Sequence, residues 1–373
     1  MTDAVPRVVH VDTERSWGGG QRQLFALAVG MQRRGVRSWI AARPRSQLAA
    51  ALAGEGMPVL GLSPAFEWDP VAVARLRGLL RSVRADVVHA HAAHAVATAA
   101  LASLGTGARL LVSRRVALPL RRNPASRWKY ARSARFIAVS ERVRGTLCAG
   151  GIAPERVCVV RSGVDLGQPV RRAGAATLGA LGILPGRPLV VMVSSLIPPH
   201  KDPETFLVAL AAAREAGAPF QALLVGDGPL AARVERLRRG LGLEAVVRLT
   251  GFRRDAVELL AAADVAVLSS RDEGLGTTLL DAMAAGVPVV ATAAGGVREI
   301  VRDGLDGVLV PVGDGRALGA AVARVLGDAD LRVALAAAGR RRVQQFSVDR
   351  TVEGTLEVYR SLGRPGGAEA GRR

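Results

Sequence analysis

The stretch from Ser269 to Ile300, SSRDEGLGTTLLDAMAAGVPVVATAAGGVREI, constrains this chain more than any other. Just before it, DVAVL at 264–268 is a short apolar run bounded by polar residues, the pattern of a buried parallel strand. A turn follows that holds Glu273, Gly274, Leu275 and Gly276. Thr277 and Thr278 then open a helix whose apolar face is Leu279, Leu280, Met283 and Ala284. Gly286 and Pro288 stop that helix, and PVVAT at 288–292 is the next strand. Glu273 falls in the turn at the strand's carboxyl end, and Asp281 falls inside the helix. Between them lies a helix N-terminus, whose first backbone N–H groups lack intrahelical partners and suit a phosphate. Such an order offers an acid group beside a sugar, a nest for a diphosphate and a carboxylate for ribose hydroxyls.

The same βα rhythm runs through the rest of the chain. RVVHV at 7–11, Trp39–Ala42, Pro58–Leu62, DVVHAH at 86–91, Leu110–Ser113, Phe136–Ser140 and Val157–Arg161 read as strands, with helical segments between them. After a Gly-, Pro- and Arg-rich stretch at 167–187 the pattern restarts with Leu189–Ser194, Ala222–Val225, Val246–Leu249, Val265–Leu268 and Val289–Ala291. Alternation of this kind predicts α/β architecture with two doubly wound, Rossmann-like domains facing a central cleft. The expected division is residues 1–166, a linker at 167–187, a second domain at 188–345, and a C-terminal helix and tail at 346–373.

Charge narrows the partners. The chain has 373 residues with 51 Lys and Arg against 32 Asp and Glu, a net charge of +19. That surplus favours an anionic partner: a phosphate-bearing substrate, an acidic membrane surface or a nucleic acid. No nucleic-acid motif or stacking platform accompanies it, so nucleic acid is not expected. A basic block runs from Arg109 to Arg135, with Arg114, Arg115, Arg121, Arg122, Arg127 and Lys129 around Trp128 and Tyr130 and no acidic residue. It reads as a membrane- or acceptor-facing surface, against the plainer reading of a solvated loop and helix. Cys148 and Cys158 are too few for a disulfide scaffold, and no signal peptide is evident at the N-terminus, so a cytoplasmic location is expected, with attachment to the inner membrane's cytoplasmic face left open. Val87–Ala108 lacks formal charge but splits into strand, turn and helix rather than a membrane span.

The 269–300 stretch resembles the signature of the family-4 glycosyltransferases, retaining nucleotide-sugar enzymes of the GT-B fold, S-x-x-E-G-x-G-x-x-x-x-E-A-M-A-x-G-x-P-V-V-A-T-x-x-G-G-x-x-E. Asp281 stands where that pattern has Glu. Elsewhere the chain is similar to the family at Trp17-Gly18-Gly19-Gly20-Gln21, where Gln21 replaces an acidic residue, and at the H-x-H element with His89 and His91. His89 is read as a core histidine and His91 as facing the donor sugar, the two directed to opposite faces of their strand. Ser194–Lys201 corresponds to the family's G-R-L-x-x-x-K-G, with Lys201 retained and Ser195 in the arginine's place; His200, Arg253 and Arg271 are neighbours that could restore the charge. Gly226-Asp227-Gly228-Pro229 and Gly251-Phe252-Arg253 match elements that border the nucleotide.

The resemblance implies a nucleotide-diphosphate sugar as donor, a glycan or lipid-linked acceptor of the lipopolysaccharide or cell-surface type bound by the first domain, and retention of configuration. It assigns Glu273, His91 and Lys201 to catalysis, and it places Gly19, Gly20, Ser195, Gly226, Asp227, Gly228, Phe252, Gly274, Leu275, Gly276, Thr277, Thr278 and Asp281 at the substrate. A C-terminal helix returning to the first domain is also implied. No cofactor and no metal are expected: the family does not depend on an Asp-x-Asp metal site, and no carboxylate cluster accompanies the histidines at 89, 91 and 94. An epimerase of similar fold and a non-enzymatic binder of anionic polymers are the alternatives.

Overall fold

The computed structural model describes residues 6–121, 123–167, 169–198 and 200–362. They form two units, one ending at Gly163 and resuming at Val348, the other spanning Val164–Ser347. The first unit holds strands β1 (Val8–Asp12), β2 (Ser38–Ala42), β3 (Val59–Gly61), β4 (Val87–Ala90), β5 (Arg109–Arg114), β6 (Arg135–Ala138) and β7 (Val157–Val159). They lie in the order β3-β2-β1-β4-β5-β6-β7. The second holds β8 (Leu189–Val193), β9 (Gln221–Val225), β10 (Val247–Gly251), β11 (Val265–Leu268), β12 (Val289–Thr292) and β13 (Val308–Val310), in the order β10-β9-β8-β11-β12-β13. Every pairing is parallel.

Both sheets reverse their winding at one place, between β1 and β4 and between β8 and β11. There the chain leaves neighbouring strands toward opposite faces, which opens a crevice at the strands' carboxyl ends. Gly19, Gly20, His91, Ser195, Lys201 and Glu273 follow these four strands, whereas Gly226–Gly228 and Phe252 follow β9 and β10.

Helices cover the sheets, so the strands are apolar along their length rather than alternating. In the second unit Val190, Met192, Phe206, Leu210, Leu224 and Val322 meet in one core, each large side chain contributing about 1.5–3 kcal/mol by burial. In the first, the last helix, Val348–Leu362, lays Val352, Leu356, Tyr359 and Leu362 against Val8, Leu27, Met31, Val87 and Leu111. The three- and four-residue steps put those four side chains on one helical face.

The stretch expected to be a linker is mostly exposed, with only Ile183 buried among residues 169–187, and it is tied to the second unit by hydrogen bonds. Its described residues carry a helix, Ala175–Ala180. Ala173 N–H reaches the Glu258 carbonyl at 2.9 Å, Arg172 Nε the Ala261 carbonyl at 2.7 Å, and Leu184 N–H the Gln221 side chain at 2.8 Å. Its Gly and Pro content signals turns, while its partners lie far along the chain. The helical pattern of the C-terminal region resolves into three helices, Gly315–Gly327, Ala329–Val343 and Val348–Leu362. Among the described residues no helix is long and apolar enough to cross a membrane.

Candidate active site

In the second unit the 269–300 stretch folds as strand, turn, helix and strand. Ser269 and Ser270, just past β11, are fully buried. Ser269 Oγ donates to the Asp202 carbonyl at 2.6 Å, and Thr292 Oγ1, at the end of β12, donates to the Ser270 carbonyl at 2.6 Å. These bonds fix the turn that carries Glu273. Its carboxylate Oε1 accepts from Ser270 Oγ at 2.7 Å and pairs with Lys201 Nζ. The Glu273 side chain is 9% exposed and that of Lys201 25%, and the two hydrogen-bond partners on Oε1 keep the carboxylate aimed.

The glycines make the turn possible. Gly296 N–H donates to the Glu273 carbonyl at 2.9 Å, and a Cβ on Gly295 or Gly296 would run into the carbonyls of Glu273 or Gly274. Gly276 adopts φ 90°, a left-handed conformation, to start the helix Thr277–Ala285. Leu275 is buried beneath it, Thr277 and Thr278 are partly exposed in its first turn, and Asp281 is buried one turn on. Thr277 and Asp281 are four apart and share a helix face.

Across the switch point, Asp202 caps the helix Pro203–Glu215 through Thr205 N–H at 3.2 Å and Thr205 Oγ1 at 2.7 Å. It also pairs with Arg271 Nε at 2.9 Å. Arg253 is bound to both oxygens of Asp255 at 2.7 Å. The two arginines that could stand in for the residue replaced by Ser195 are therefore committed to carboxylates. Ser195 itself is exposed. The GDGP turn lies under its loop: Leu196 N–H donates to the Asp227 carbonyl at 2.9 Å, and a Cβ on Gly226 or Gly228 would collide with the Ser194 or Leu196 carbonyl. Asp227 is exposed, its Oδ1 accepting from Gly228 N–H at 2.7 Å, and Phe252 is half-exposed.

The first unit's switch point is built differently. His10 of β1 pairs in register with His89 of β4, and both rings are fully buried. The rings of His89 and His91 stand 3.9 Å apart. The expectation that they point to opposite faces is thus overturned: a two-residue step returns a strand to the same face. His89 Nδ1 meets the Tyr359 hydroxyl at 2.7 Å and Nε2 meets Ser113 Oγ at 2.8 Å. His91 Nε2 lies 3.0 Å from His10 Nδ1, and Arg115 Nη1 lies 3.3 Å from His91 Nδ1. Burial, then the Arg115 charge, lowers His10 to a pKa of about 3. The other two are also held well below the usual histidine value, by burial first and neighbouring charge second.

Gly19 and Gly20 begin the helix Gly19–Arg33 after β1. Gln21, where the family pattern has an acid, bridges instead: its Nε2 donates to Asp12 Oδ2 at 3.1 Å and its Oε1 accepts from Gly18 N–H at 3.1 Å. The ring nitrogens of His10, His89 and His91 lie within 4.8 Å of one another, close enough to enclose an ion. Apart from His10 Nε2, each already has a hydrogen-bond partner among the described residues. The Arg115 cation beside His91 opposes a second positive charge there.

The basic block divides. Lys129 is buried and ion-paired with Glu67, so it is not part of an outer surface. Arg114 is half-buried and donates Nη2 to the Leu118 carbonyl at 2.7 Å. Arg115 belongs to the histidine cluster, while Arg121 and Arg127 are exposed beside Trp128. Arg122 lies outside the described residues. Sequence reasoning missed His10, Ser270, Arg115 as a cluster member, and Tyr359. Ser270 is the serine of the S-x-x-E element and Arg115 lies just beyond a strand's carboxyl end, whereas His10, in mid-strand, and Tyr359 carry no such signal.

Against known proteins, residues 17–168 match the family described as Glycosyltransferase Family 4 and residues 187–328 that described as Glycosyl transferases group 1. The 2-deoxystreptamine N-acetyl-D-glucosaminyltransferase of Streptomyces fradiae is 32% identical over 91% of this chain and 85% of its own length. The chain belongs to glycosyltransferase family 4. Another family-4 relative, the D-inositol 3-phosphate glycosyltransferase of Salinispora arenicola, is 34% identical over 76% of this chain and 65% of its own length. The chain spans 61% of the length of the corresponding Salinispora tropica protein. Among solved structures, Anabaena HepE in complex with UDP-glucose aligns with a TM-score of 0.82 at 22% identity, over 95% of this chain and all of that one. WaaG, a glycosyltransferase involved in lipopolysaccharide biosynthesis, aligns with 0.69 at 19% identity, over 96% and 100%. These likenesses show the GT-B fold, as the family-4 signature implied.

Proposed function

We propose that this protein transfers a sugar from a nucleoside-diphosphate sugar to a hydroxyl of an acceptor, with retention of configuration. The observation that carries the reading is the Glu273 carboxylate, locked by Ser270 and Lys201 beside the start of the helix Thr277–Ala285 at a switch point. Glu273 serves the donor sugar. Lys201 and the backbone at Gly276–Thr278 take the diphosphate, stabilising the charge that develops on the leaving group. Asp281 serves the ribose. The first unit, with Gly19 and Gly20 at the start of its first helix, takes the acceptor.

The acceptor class is a cell-surface or lipid-linked glycan. A lipopolysaccharide core glycosyltransferase of Rhizobium meliloti, 36% identical over 37% of this chain and 41% of its own, supports it. The exposed Arg121, Arg127 and Trp128 offer the surface for an anionic acceptor or the cytoplasmic face of a membrane. No metal is required, so activity is expected to persist in chelator.

A thermal-shift panel of nucleoside diphosphates and nucleotide sugars, UDP-glucose first, tests the donor half. Binding to the folded state raises the melting temperature by mass action. A shift in wild type that disappears in Lys201→Ala supports the reading, and no shift with any donor refutes it. Transfer is then read by the appearance of a glycosylated product; an isomerised sugar without acceptor would mean an epimerase.

A further inference from the structure

The hydrogen bonds around His91 leave it nothing with which to touch a substrate. Arg115 is all donors, so His91 Nδ1 must accept from it. A neutral His91 then carries its proton on Nε2 and donates it to His10 Nδ1. His10 in turn carries its own proton on Nε2, a fully buried donor without a partner among the described residues. Both nitrogens of His91 are spent.

Arg115 is in the opposite position. Each of Lys129, Arg238, Arg271 and Arg302 is paired with a carboxylate. Among the described residues Arg115 has one hydrogen bond, to His91, and its buried Nε–H has none. Asp12 is near enough to favour the cation, yet its oxygens are taken by Glu14 N–H at 2.9 Å and Gln21 Nε2 at 3.1 Å. Burial lowers the guanidinium's pKa only to about 10, so it stays charged at neutral pH. Its stem lies 3.9 Å from where a Cβ on Gly20 would be, beside the start of a helix with no acidic residue in its first turn. An unmet buried donor is destabilising, and Arg115 as a residue stays partly exposed, so an acceptor atom brought by a ligand would relieve it.

We infer that Arg115 is the residue of the first unit that meets the substrate, at an anionic phosphate or carboxylate oxygen, and that His91 is the positioning residue that aims it. This deepens the proposed function and rests on the first unit's share in substrate binding. It also reverses the roles read from sequence, where His91 faces the sugar and Arg115 an outer surface.

Two experiments test it. Long-range proton–nitrogen NMR on histidine-labelled wild type, near neutral pH, should find His91 neutral with its proton on Nε2. A proton on Nδ1, or a cationic ring, overturns the inference. Second, inorganic phosphate and UDP are titrated while the Arg115 Nε–H resonance is followed, with affinities measured by calorimetry for wild type and Arg115→Gln. If the anion is the donor's diphosphate, UDP shifts the resonance and Arg115→Gln weakens UDP about tenfold or more. If it belongs to the acceptor, UDP affinity is unchanged and phosphate added to the UDP-saturated protein shifts the resonance. A resonance moved by neither probe, with both affinities unchanged in Arg115→Gln, overturns it. His91→Gln keeps an acceptor for Arg115 and should retain the affected affinity, whereas His91→Phe should lose it; equal loss in both overturns the positioning role. None of these readouts needs turnover, so an absence of nucleotide-sugar transfer would count against the proposed function alone.

Discussion

The two switch points hold the same place in two similar sheets, yet they treat charge in opposite ways. In the second unit the named Lys and Arg side chains at the site are ion-paired: Lys201 with Glu273, Arg271 with Asp202, Arg253 with Asp255. In the first, a neutral histidine cluster borders one cation, Arg115, that has no ion pair among the described residues, with Asp12 favouring it only from a distance. A compensated site is rigid and prearranged before a ligand comes; an uncompensated one holds its attraction in reserve. The comparison teaches that fold sets where a ligand goes, while the pairing of charges decides which part of it each unit can hold.

Perturbing either side should give different results. The largest effect is expected from Glu273→Gln, which keeps shape and removes the charge beside the reacting sugar. Transfer measured with a labelled donor should fall by about 10²–10³-fold, the scale of losing one preorganised electrostatic group, with nucleotide affinity little changed. Retained activity would move the chemistry away from this turn.

Acid should separate the units next. Above pH 6.5, the ordinary histidine value, the three rings are neutral whether folded or not. Below it the unfolded chain takes up protons that the folded cluster refuses. Stability of the first unit therefore drops as pH falls, by about 1.4 kcal/mol per pH unit for each histidine, a decline that for His10 continues to about pH 3. Denaturation followed at separate pH values should show this loss, and a His10→Phe variant should show a shallower slope. Equal slopes would mean that His10 takes up its proton folded as readily as unfolded.

Lys201→Ala should weaken nucleoside diphosphates by about 10–100-fold through loss of a charge-assisted contact. It also strips Glu273 of its cation. Because removing one partner of a buried pair can itself cost about 3–5 kcal/mol, chemical denaturation must accompany the binding measurement. A stable variant with unchanged diphosphate affinity would confine Lys201 to holding Glu273. The smallest effect is expected from Tyr359→Phe, which leaves His89 Nδ1 without its 2.7 Å partner. Stability should fall by about 1–2 kcal/mol with nucleotide binding intact.

Much of this was legible in the sequence where the information is local. The turn at 269–276, the helix after it and the strand that follows are contiguous, and each is announced by residues that can do little else. The strands were legible for the same reason, except for β13, Val308–Val310. What stayed hidden depends on register and distant contact. Nothing in RVVHV says that His10 lies opposite His89, and nothing in the basic block says that Lys129 meets Glu67, 62 residues away. Arg115 looked like its neighbours because a run of arginines carries no record of which one turns inward. The hydrogen bonds that tie the 169–187 segment to the second unit were obscured because Gly, Pro and Arg mark a change of direction without saying what the chain then meets.

The last helix of the chain has a consequence for how the protein comes into being. Val352, Leu356 and Tyr359 complete a core whose other side is laid down by Val8, Leu27 and Val87, so a ribosome makes the whole second unit between delivering one side and the other. The second unit, whose residues run unbroken from Val164 to Ser347, has its whole core in hand first. For the length of that synthesis the earlier unit waits with an open apolar face and an unmet His89. A chain released before Val348 would yield one finished unit and one unfinished, and a protease would tell them apart.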